Sequence, residues 1–263
     1  MAGIEQQEVD GMLKETYYLY RRNLKIWMAQ PMTLIGPMLT AAFMFLLFGA
    51  PLEGLTRLPG FPTDDYMAFF TAMILVMTMV FSGGDVAFAA LTDILSGYFD
   101  KLLLAPINRF SIIMSTLLIA GTRALAQVLV IVLIAILLDV TFKTGAVGIL
   151  VVILAATMFG ITMAFLGLII ALKTQSVLVA QSTWIMFMPI AFLTTAFMPR
   201  ELLTGWFKIA VIINPVDYVL AGIRVIIIQG WEWGTILPGL WALLAMAAVL
   251  GTLAIWSFRR ITA

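Results

Sequence analysis

Residues 93–109, DILSGYFDKLLLAPINR, form a polar island between two apolar runs that are each long enough to cross a bilayer. Gly97 permits a turn, and Pro106 cannot lie inside a regular helix because it lacks an N–H group and crowds the preceding turn. The pattern therefore predicts a helix of about two turns over residues 98–105. On this helix, one side carries Phe99, Leu102 and Leu103, and the other carries Asp100, Lys101 and Leu104. Such a helix is either a docking element at the membrane surface or a turn that contacts only lipid headgroups.

The composition indicates an integral membrane protein. Of 263 residues, 63% are hydrophobic and 11% charged, and the mean hydropathy of +1.09 exceeds what a soluble core of this size could bury. There is no Cys, hence no disulfide framework, and no His, the commonest metal ligand and general base. We therefore expect no catalytic, cofactor-binding or metal-binding residues, and no nucleic-acid partner.

Hydropathy predicts a single all-α domain over residues 1–263, with six transmembrane helices. An amphipathic helix over residues 8–30, too polar to span, is expected to lie in the membrane interface. The predicted spans are residues 31–50, 66–91, 110–138, 146–172, 177–197 and 235–258. A bend is expected at Pro189.

Residues 199–233 are predicted to be a re-entrant helix pair before the last span. Lys208, Asp217 and Arg224 would each cost up to ~3 kcal/mol inside a span, and Asn214-Pro215 interrupts the helix. Two short helices, residues 201–213 and 216–229, are therefore expected to enter the interface and return.

The distribution of positive charge predicts the orientation. In the six-span arrangement, nine Lys and Arg residues lie on the side of both termini and residues 93–109, against five on the other side. Both termini and the polar island are therefore expected in the cytoplasm, and the re-entrant pair faces outward across the cell membrane.

Polar residues within the predicted spans are candidates for a buried pair or a substrate pathway. Arg123 is expected near mid-membrane on the third span with Gln127 on the same face, and Asp85 lies on the second span. Asp85 and Arg123 either form a structural pair or contribute to substrate movement. Gly83-Gly84 is expected to loosen the second span. A small-residue stripe on the fourth span predicts a close helix contact, formed by Ala156, Gly160, Ala164, Gly167 and Ala171.

Two motifs carry a family resemblance. The run GYFDKLLLAPINR at residues 97–109 and the later NPVDY at residues 214–218, followed by Gly222-Ile223-Arg224, resemble the ABC-2 family of ATP-binding-cassette exporter permeases, and the loop is most similar to the daunorubicin-resistance type. The chain has Thr92-Asp93 where the family often has Arg-Glu, and Asp100 where it often has Glu.

The resemblance implies that the polar island is a coupling helix seated in a cleft of a separate ATPase. The implied coupling residues are Asp93, Gly97, Tyr98, Phe99, Asp100, Lys101, Leu103, Leu104, Pro106 and Arg109, with Phe99 and Leu103 as the apolar contacts. The re-entrant motif residues are Asn214, Pro215, Asp217 and Arg224.

The resemblance also implies a complex in which two ATPase subunits use ATP and Mg. This chain has no GxxxxGK[ST] phosphate loop and no cofactor of its own. Its expected partners are the ATPase, a second permease copy joined through the first and fifth spans, and membrane lipids. The expected function is export of a drug, lipid or glycan-linked lipid from the cytoplasm; the alternative is an ion-coupled secondary transporter or channel subunit.

Overall fold

A computed structural model describes residues 2–49, 51–59 and 61–262, and no strand occurs among them. The α-helices of this part of the chain are α1 Ala2–Met28, α2 Met32–Met44, α3 Tyr66–Leu95, α4 Tyr98–Leu104, α5 Arg109–Leu137, α6 Gly145–Thr174, α7 Val177–Phe192, α8 Gly205–Ile213, α9 Pro215–Ile228 and α10 Trp233–Thr262. The all-α prediction is confirmed, and most helices begin and end within a few residues of the predicted bounds.

Four helices, α3, α5, α6 and α10, are long and apolar enough to cross a membrane. The count within the described residues becomes five if α8 and α9, which are bent by 83° at their junction, are taken as one broken span. The two remaining predicted spans are shorter: α2 continues as a π-helix over Phe45–Gly49, and α7 ends at Phe192.

Helix α7 ends at Phe192, earlier than predicted. Pro189 lies inside the helix, and the amide of Leu193 donates the last helical hydrogen bond to its carbonyl at 2.9 Å. Residues 193–199 then continue as irregular backbone instead of the helix predicted to residue 197. The peptide groups of this segment need partners from elsewhere in the fold.

Helices α3 and α6 pack through glycines. A Cβ atom on Gly167 would clash with the carbonyl oxygen of Gly83, and one on Gly83 would lie 2.5 Å from the carbonyl oxygen of Met163. Gly160 likewise faces Met79 and Ala124. The small-residue stripe is therefore a close helix contact, as predicted, whereas α3 stays helical through Gly83-Gly84 rather than loosening there.

These contacts give the helix bundle two ends. Met79 faces Gly160 and Gly83 faces Gly167, so α3 and α6 run in parallel, and α5 is antiparallel to α6 because Gly121 faces Ile161. We call the end that carries α4 the α4 end. The far end holds the start of α3, the end of α5 and the start of α6.

The chain between α7 and α10 begins and ends at the far end. The side chain of Arg224 bonds to the carbonyl of Phe69, near the start of α3. At the end of α9, the hydroxyl of Thr144 donates to the carbonyl of Ile226 and the amide of Lys143 to that of Ile227, each at 2.9 Å. Helices α8 and α9 therefore bring the chain back to the end of the bundle where they started.

The glycine contact makes a packing prediction. Gly167→Leu should separate α3 from α6 and sharply lower the yield of monodisperse protein, because the new side chain meets backbone that cannot move aside. Gly234→Leu on α10 is the matched control, since nothing lies within 4 Å of a Cβ at that position. Size-exclusion profiles and melting temperatures of the purified variants provide the measurement, and equal behaviour of the two would contradict the packing described here.

Candidate functional site

The short helix of the polar island has the predicted bounds. Gly97 precedes α4 with a φ of 69°, a left-handed conformation that favours glycine, and the helix ends at Leu104 before Ala105-Pro106. This placement leaves α4 as seven residues between the long helices α3 and α5.

The inner face of α4 packs against the permease itself. Phe99 is 9% exposed, and its ring meets that of Phe258 edge-to-face at 6.0 Å between centroids. The same cluster includes Ile112 and Leu172, and Leu103 packs against it, partly buried. The ring of Phe99 is therefore turned toward α5, α6 and α10, and its expected role as an apolar contact for a partner stays a prediction.

The outer face of α4 is open. Asp100, Lys101 and Pro106 are exposed, and Leu104 is 87% exposed. Neither Asp100 nor Lys101 forms an ion pair or hydrogen bond with any side chain that the structure describes. Arg109 begins α5 beside this face and is also exposed.

Helix α1 holds both ends of the island. The guanidinium of Arg22 donates to both carboxylate oxygens of Asp93 at 3.0 and 3.2 Å and lies 3.5 Å from the ring centroid of Tyr98. At the other end, the carboxylate of Glu15 accepts hydrogen bonds from the amide of Asn108 and the hydroxyl of Ser111 at 2.9 and 3.0 Å. The island is thus held at both ends by α1, the helix that the amphipathic pattern predicts to lie in the membrane interface.

A second polar site lies at the far end, around Asp217. This carboxylate is fully buried and accepts hydrogen bonds from the backbone amide and hydroxyl of Thr195 at 2.6 and 2.7 Å. It also forms an ion pair with the guanidinium of Arg200. Asp217 therefore satisfies part of the irregular backbone that follows α7.

Arg224 satisfies two carbonyl groups of that backbone. Its side chain is 6% exposed and donates to the carbonyls of Thr195 at 2.8 Å and Ala196 at 3.2 Å. The guanidinium carbon lies 3.7 Å from the ring centroid of Phe69. The cation is held by carbonyl dipoles and an aromatic face, which offset part of its desolvation.

Asn214 and Pro215 form the junction of α8 and α9. The Asn214 side chain accepts from the amide of Val216 at 3.0 Å, capping α9, while its amide group donates to the carbonyls of Ile190 and Leu193 at 2.7 and 2.8 Å. Pro215 is the first residue of α9, where its missing N–H is harmless. Through Asn214, the NPVDY motif thus connects the re-entrant pair to the end of α7 by hydrogen bonds.

A cleft of about 310 Å³ opens beside this polar site. Its walls come from the segment before α8, from α9 and from the start of α10, and they include Arg200, Glu201, Tyr218 and Gln229. Among the described residues, no three Asp or Glu side chains come together as metal ligands.

The structure does not join Asp85 and Arg123 in a direct pair. They are close enough to interact electrostatically, but no oxygen–nitrogen distance between them is within 4.0 Å. The buried Nε of Arg123 and Oε1 of Gln127 have no hydrogen-bond partner in the described chain. The side chains therefore stop short of a direct ion pair, and the two alternatives for Asp85 and Arg123, a structural pair or a part in substrate movement, stay predictions.

Sequence reasoning missed the partners of the motif residues. Arg22 and Glu15 belong to an amphipathic helix whose charges are typical of a lipid-facing surface. Thr195 and Arg200 carry no motif at all. Their only signal in the sequence was that the buried acids of the motifs require partners.

Comparison with known proteins identifies the family of the chain. The profile of the ABC-2 type transporter family matches residues 14–228, a range that contains both candidate sites. The chain belongs to the ABC-2 type transporter family.

Individual relatives of this ABC-2 chain are similar over most of its length. It is 28% identical over 219 residues to the transport permease ycf38 of Cyanophora paradoxa, covering 81% of this chain and 73% of the relative. It is 26% identical to ycf38 of Porphyra purpurea, over 84% of this chain and 74% of the relative. A doxorubicin resistance ABC transporter permease, DrrC of Mycobacterium tuberculosis, is 23% identical over 80% and 75% of the two chains. This ABC-2 chain is therefore a membrane transport permease of an ABC transporter.

The far-end polar site makes a stability prediction for this permease. Asp217→Ala should cost about 3 kcal/mol or more, because it leaves the amide of Thr195 without an acceptor and Arg200 without its ion pair. We expect a melting temperature several degrees lower, whereas Asp100→Ala, which removes an exposed acid, should change little. Thermal unfolding in one detergent compares the two, and similar melting temperatures would mean that the buried network contributes no net stability.

Proposed function

We propose that this chain is the membrane-spanning subunit of an ATP-driven exporter that moves an amphipathic substrate (a drug, a lipid or a glycan-linked lipid) out of the cytoplasm. A separate ATPase, in two copies, would bind ATP and Mg. The observation that carries the proposal is α4: Asp100 and Lys101 on its outer face bond to no described side chain, while its inner face and both ends of the island are fixed to the permease.

The outer face of α4 has the chemistry of a docking surface. Asp100 and Lys101 can orient a partner through opposite charges. Leu104, 87% exposed, provides a large apolar side chain for the centre of the interface. A turn that contacted only lipid headgroups would gain nothing from an acid at this position, because the cytoplasmic leaflet is negatively charged.

The fixed parts of α4 support transmission of movement. Phe99 links it to α10 through Phe258, and Arg22 links Asp93 and Tyr98 to α1. A displacement of α4 would therefore carry α1, α3 and α5 with it rather than being absorbed in a loose loop.

The proposed topology keeps six crossings. Helices α3, α5, α6 and α10 supply four, α2 with its π-helical continuation supplies another, and α7 supplies the sixth. The return of α8 and α9 to the far end, together with the 83° bend between them, supports a re-entrant pair in place of a crossing. The count of Lys and Arg favours a cytoplasmic α4 end and termini in a cell membrane.

A second copy of this chain is the proposed permease partner. Helices α2 and α7 expose apolar side chains that the described chain does not cover. They are Leu39 and Phe43 on α2, Leu46 on its π-helical continuation, and Leu178, Ile185 and Met186 on α7, each at least half exposed. Pairing of two copies through these helices would bury both faces and enclose a path between them.

The docking proposal predicts selective loss of ATPase capture. Asp100→Lys and Leu104→Ser should each weaken capture of the copurifying ATPase about tenfold, as expected for residues at the centre of an interface. Insertion and folding of the permease should be unchanged, because neither side chain contacts the permease core. The readouts are co-elution and ATP hydrolysis with the purified complex in lipid.

Ile213→Ser is the matched control for that experiment. Ile213 is 74% exposed, similar to Leu104, but lies at the far end. Capture and hydrolysis equal to wild type in both α4 variants, or equal loss with Ile213→Ser, would remove the coupling role from α4.

The topology predicts which sites an impermeant thiol reagent can reach in intact cells. Cysteines placed at Glu53, Lys143 and Glu232, all exposed, should be labelled from outside, and those at Lys101 and Lys173 only after permeabilisation. The chain contains no native Cys to complicate the labelling. Protection of Glu232→Cys would mean that α8 and α9 cross the membrane, and the re-entrant arrangement would be abandoned.

A further inference from the structure

Arg123 lies where α1 passes along α5. One residue earlier, the hydroxyls of Thr122 and Tyr20 are joined by a hydrogen bond of 3.1 Å, which fixes α1 at this level. The ring centroid of Trp27 lies 5.7 Å from the guanidinium carbon of Arg123. Arg123 therefore faces α1 with its guanidinium beside Trp27.

The guanidinium of Arg123 lacks an acceptor. Among the residues that the structure describes, no hydrogen bond or ion pair involves this side chain, and its Nε is buried without a partner. Asp85 offsets part of its charge from a distance but does not contact it. Because an arginine carries five N–H donors and remains charged, an acceptor from outside the chain is required to satisfy them.

Arg123 is the middle residue of α5, 14 residues or about 21 Å along the axis from both Arg109 and Leu137. With the hydrocarbon boundary of the far end taken at Leu137, next to the charged Asp139, a core about 30 Å thick ends about 9 Å beyond Arg123 toward the α4 end. The guanidinium is then nearer that surface than the mid-membrane position that the sequence predicts. The side chain of Arg123 points toward the N-terminus of α5, hence further toward the α4 end. The guanidinium thus approaches the full hydrocarbon thickness of about 30 Å from the far end.

The position of Trp27 on α1 also indicates that Arg123 lies near the membrane surface. Trp27 lies four residues before Pro31, the residue that precedes α2, and tryptophan is enriched at the depth of the lipid headgroups. A partly buried guanidinium beside an indole ring is chemistry that can bind an anionic lipid headgroup.

We propose that Arg123 and Trp27 form a binding site for the phosphate headgroup of an anionic phospholipid from the cytoplasmic leaflet. The guanidinium donates two hydrogen bonds to the phosphate oxygens, and Trp27 packs beside the headgroup. The identity of the leaflet rests on the orientation given under the proposed function. The site itself does not depend on an ATPase.

The test measures lipid retention by the purified full chain. Native mass spectrometry during titration with phosphatidylglycerol should detect a tightly held lipid in wild type, and Arg123→Gln should weaken its retention about tenfold. Phosphatidylcholine should be held less tightly and should be insensitive to the change. Arg260→Gln is the matched control, because Arg260 is an exposed cation 4.0 Å from the ring of Trp256 near the same end of the bundle.

Equal retention by wild type and Arg123→Gln, or equal loss in Arg260→Gln, would overturn the site. If Arg123→Gln does not fold, fluorescence with brominated phosphatidylglycerol tests it in wild type and Trp27→Phe. The bromolipid should quench a component of the emission that Trp27→Phe lacks, and identical quenching of the two proteins would also overturn the site. ATPase capture through α4 is measured separately, so failure of one proposal leaves the other tested on its own result.

Discussion

The contact between α3 and α6 is the constraint on which the rest of the architecture depends. Gly83 and Gly167 allow the two backbones to meet, which is the main way that helices gain packing energy where lipid offers no hydrophobic advantage. The two helices run in parallel, so both start at the far end and both end at the α4 end. At the far end, Phe69 of α3 and Thr144 before α6 contact the re-entrant pair, and at the opposite end α3 leads into α4. Both candidate sites therefore occupy opposite ends of one rigid helix pair.

The far-end site supplies hydrogen-bond partners for the irregular backbone that follows α7. A helix that stops early leaves peptide groups without partners, and such groups are costly in an apolar setting. Asp217 accepts a hydrogen bond from the amide of Thr195. Arg224 donates to the carbonyls of Thr195 and Ala196. Asn214 donates to the carbonyls of Ile190 and Leu193 at the end of α7. The charged residues of the late motif act here as partners for broken backbone, which explains how buried charges persist beside apolar helices.

At the α4 end, one short helix has two faces with different environments: one is buried against the permease and the other is exposed. Phe99 commits the inner face to the permease, and this burial makes the outer face a defined surface rather than a flexible loop. The clamp from α1 adds charge-assisted hydrogen bonds at both ends of the island, through Arg22 and Glu15. Transmission of movement from an ATPase through α4 would thus depend on Arg22 and Glu15 of α1, which hold the island but do not belong to its outer face.

The amino-acid sequence alone determined the all-α membrane class, the helix positions to within a few residues and the bounds of α4. These properties depend on the local transfer energy of each segment and on backbone constraints at Gly97, Pro106 and Pro215. Only the tertiary structure decided which partner each charge takes and which way Phe99 faces. Asp93 pairs with Arg22, 71 residues away, Asp217 pairs with Arg200, and Asp85 and Arg123 remain apart. The physical reason is that pairing depends on how distant helices approach one another, which no local pattern of residues specifies.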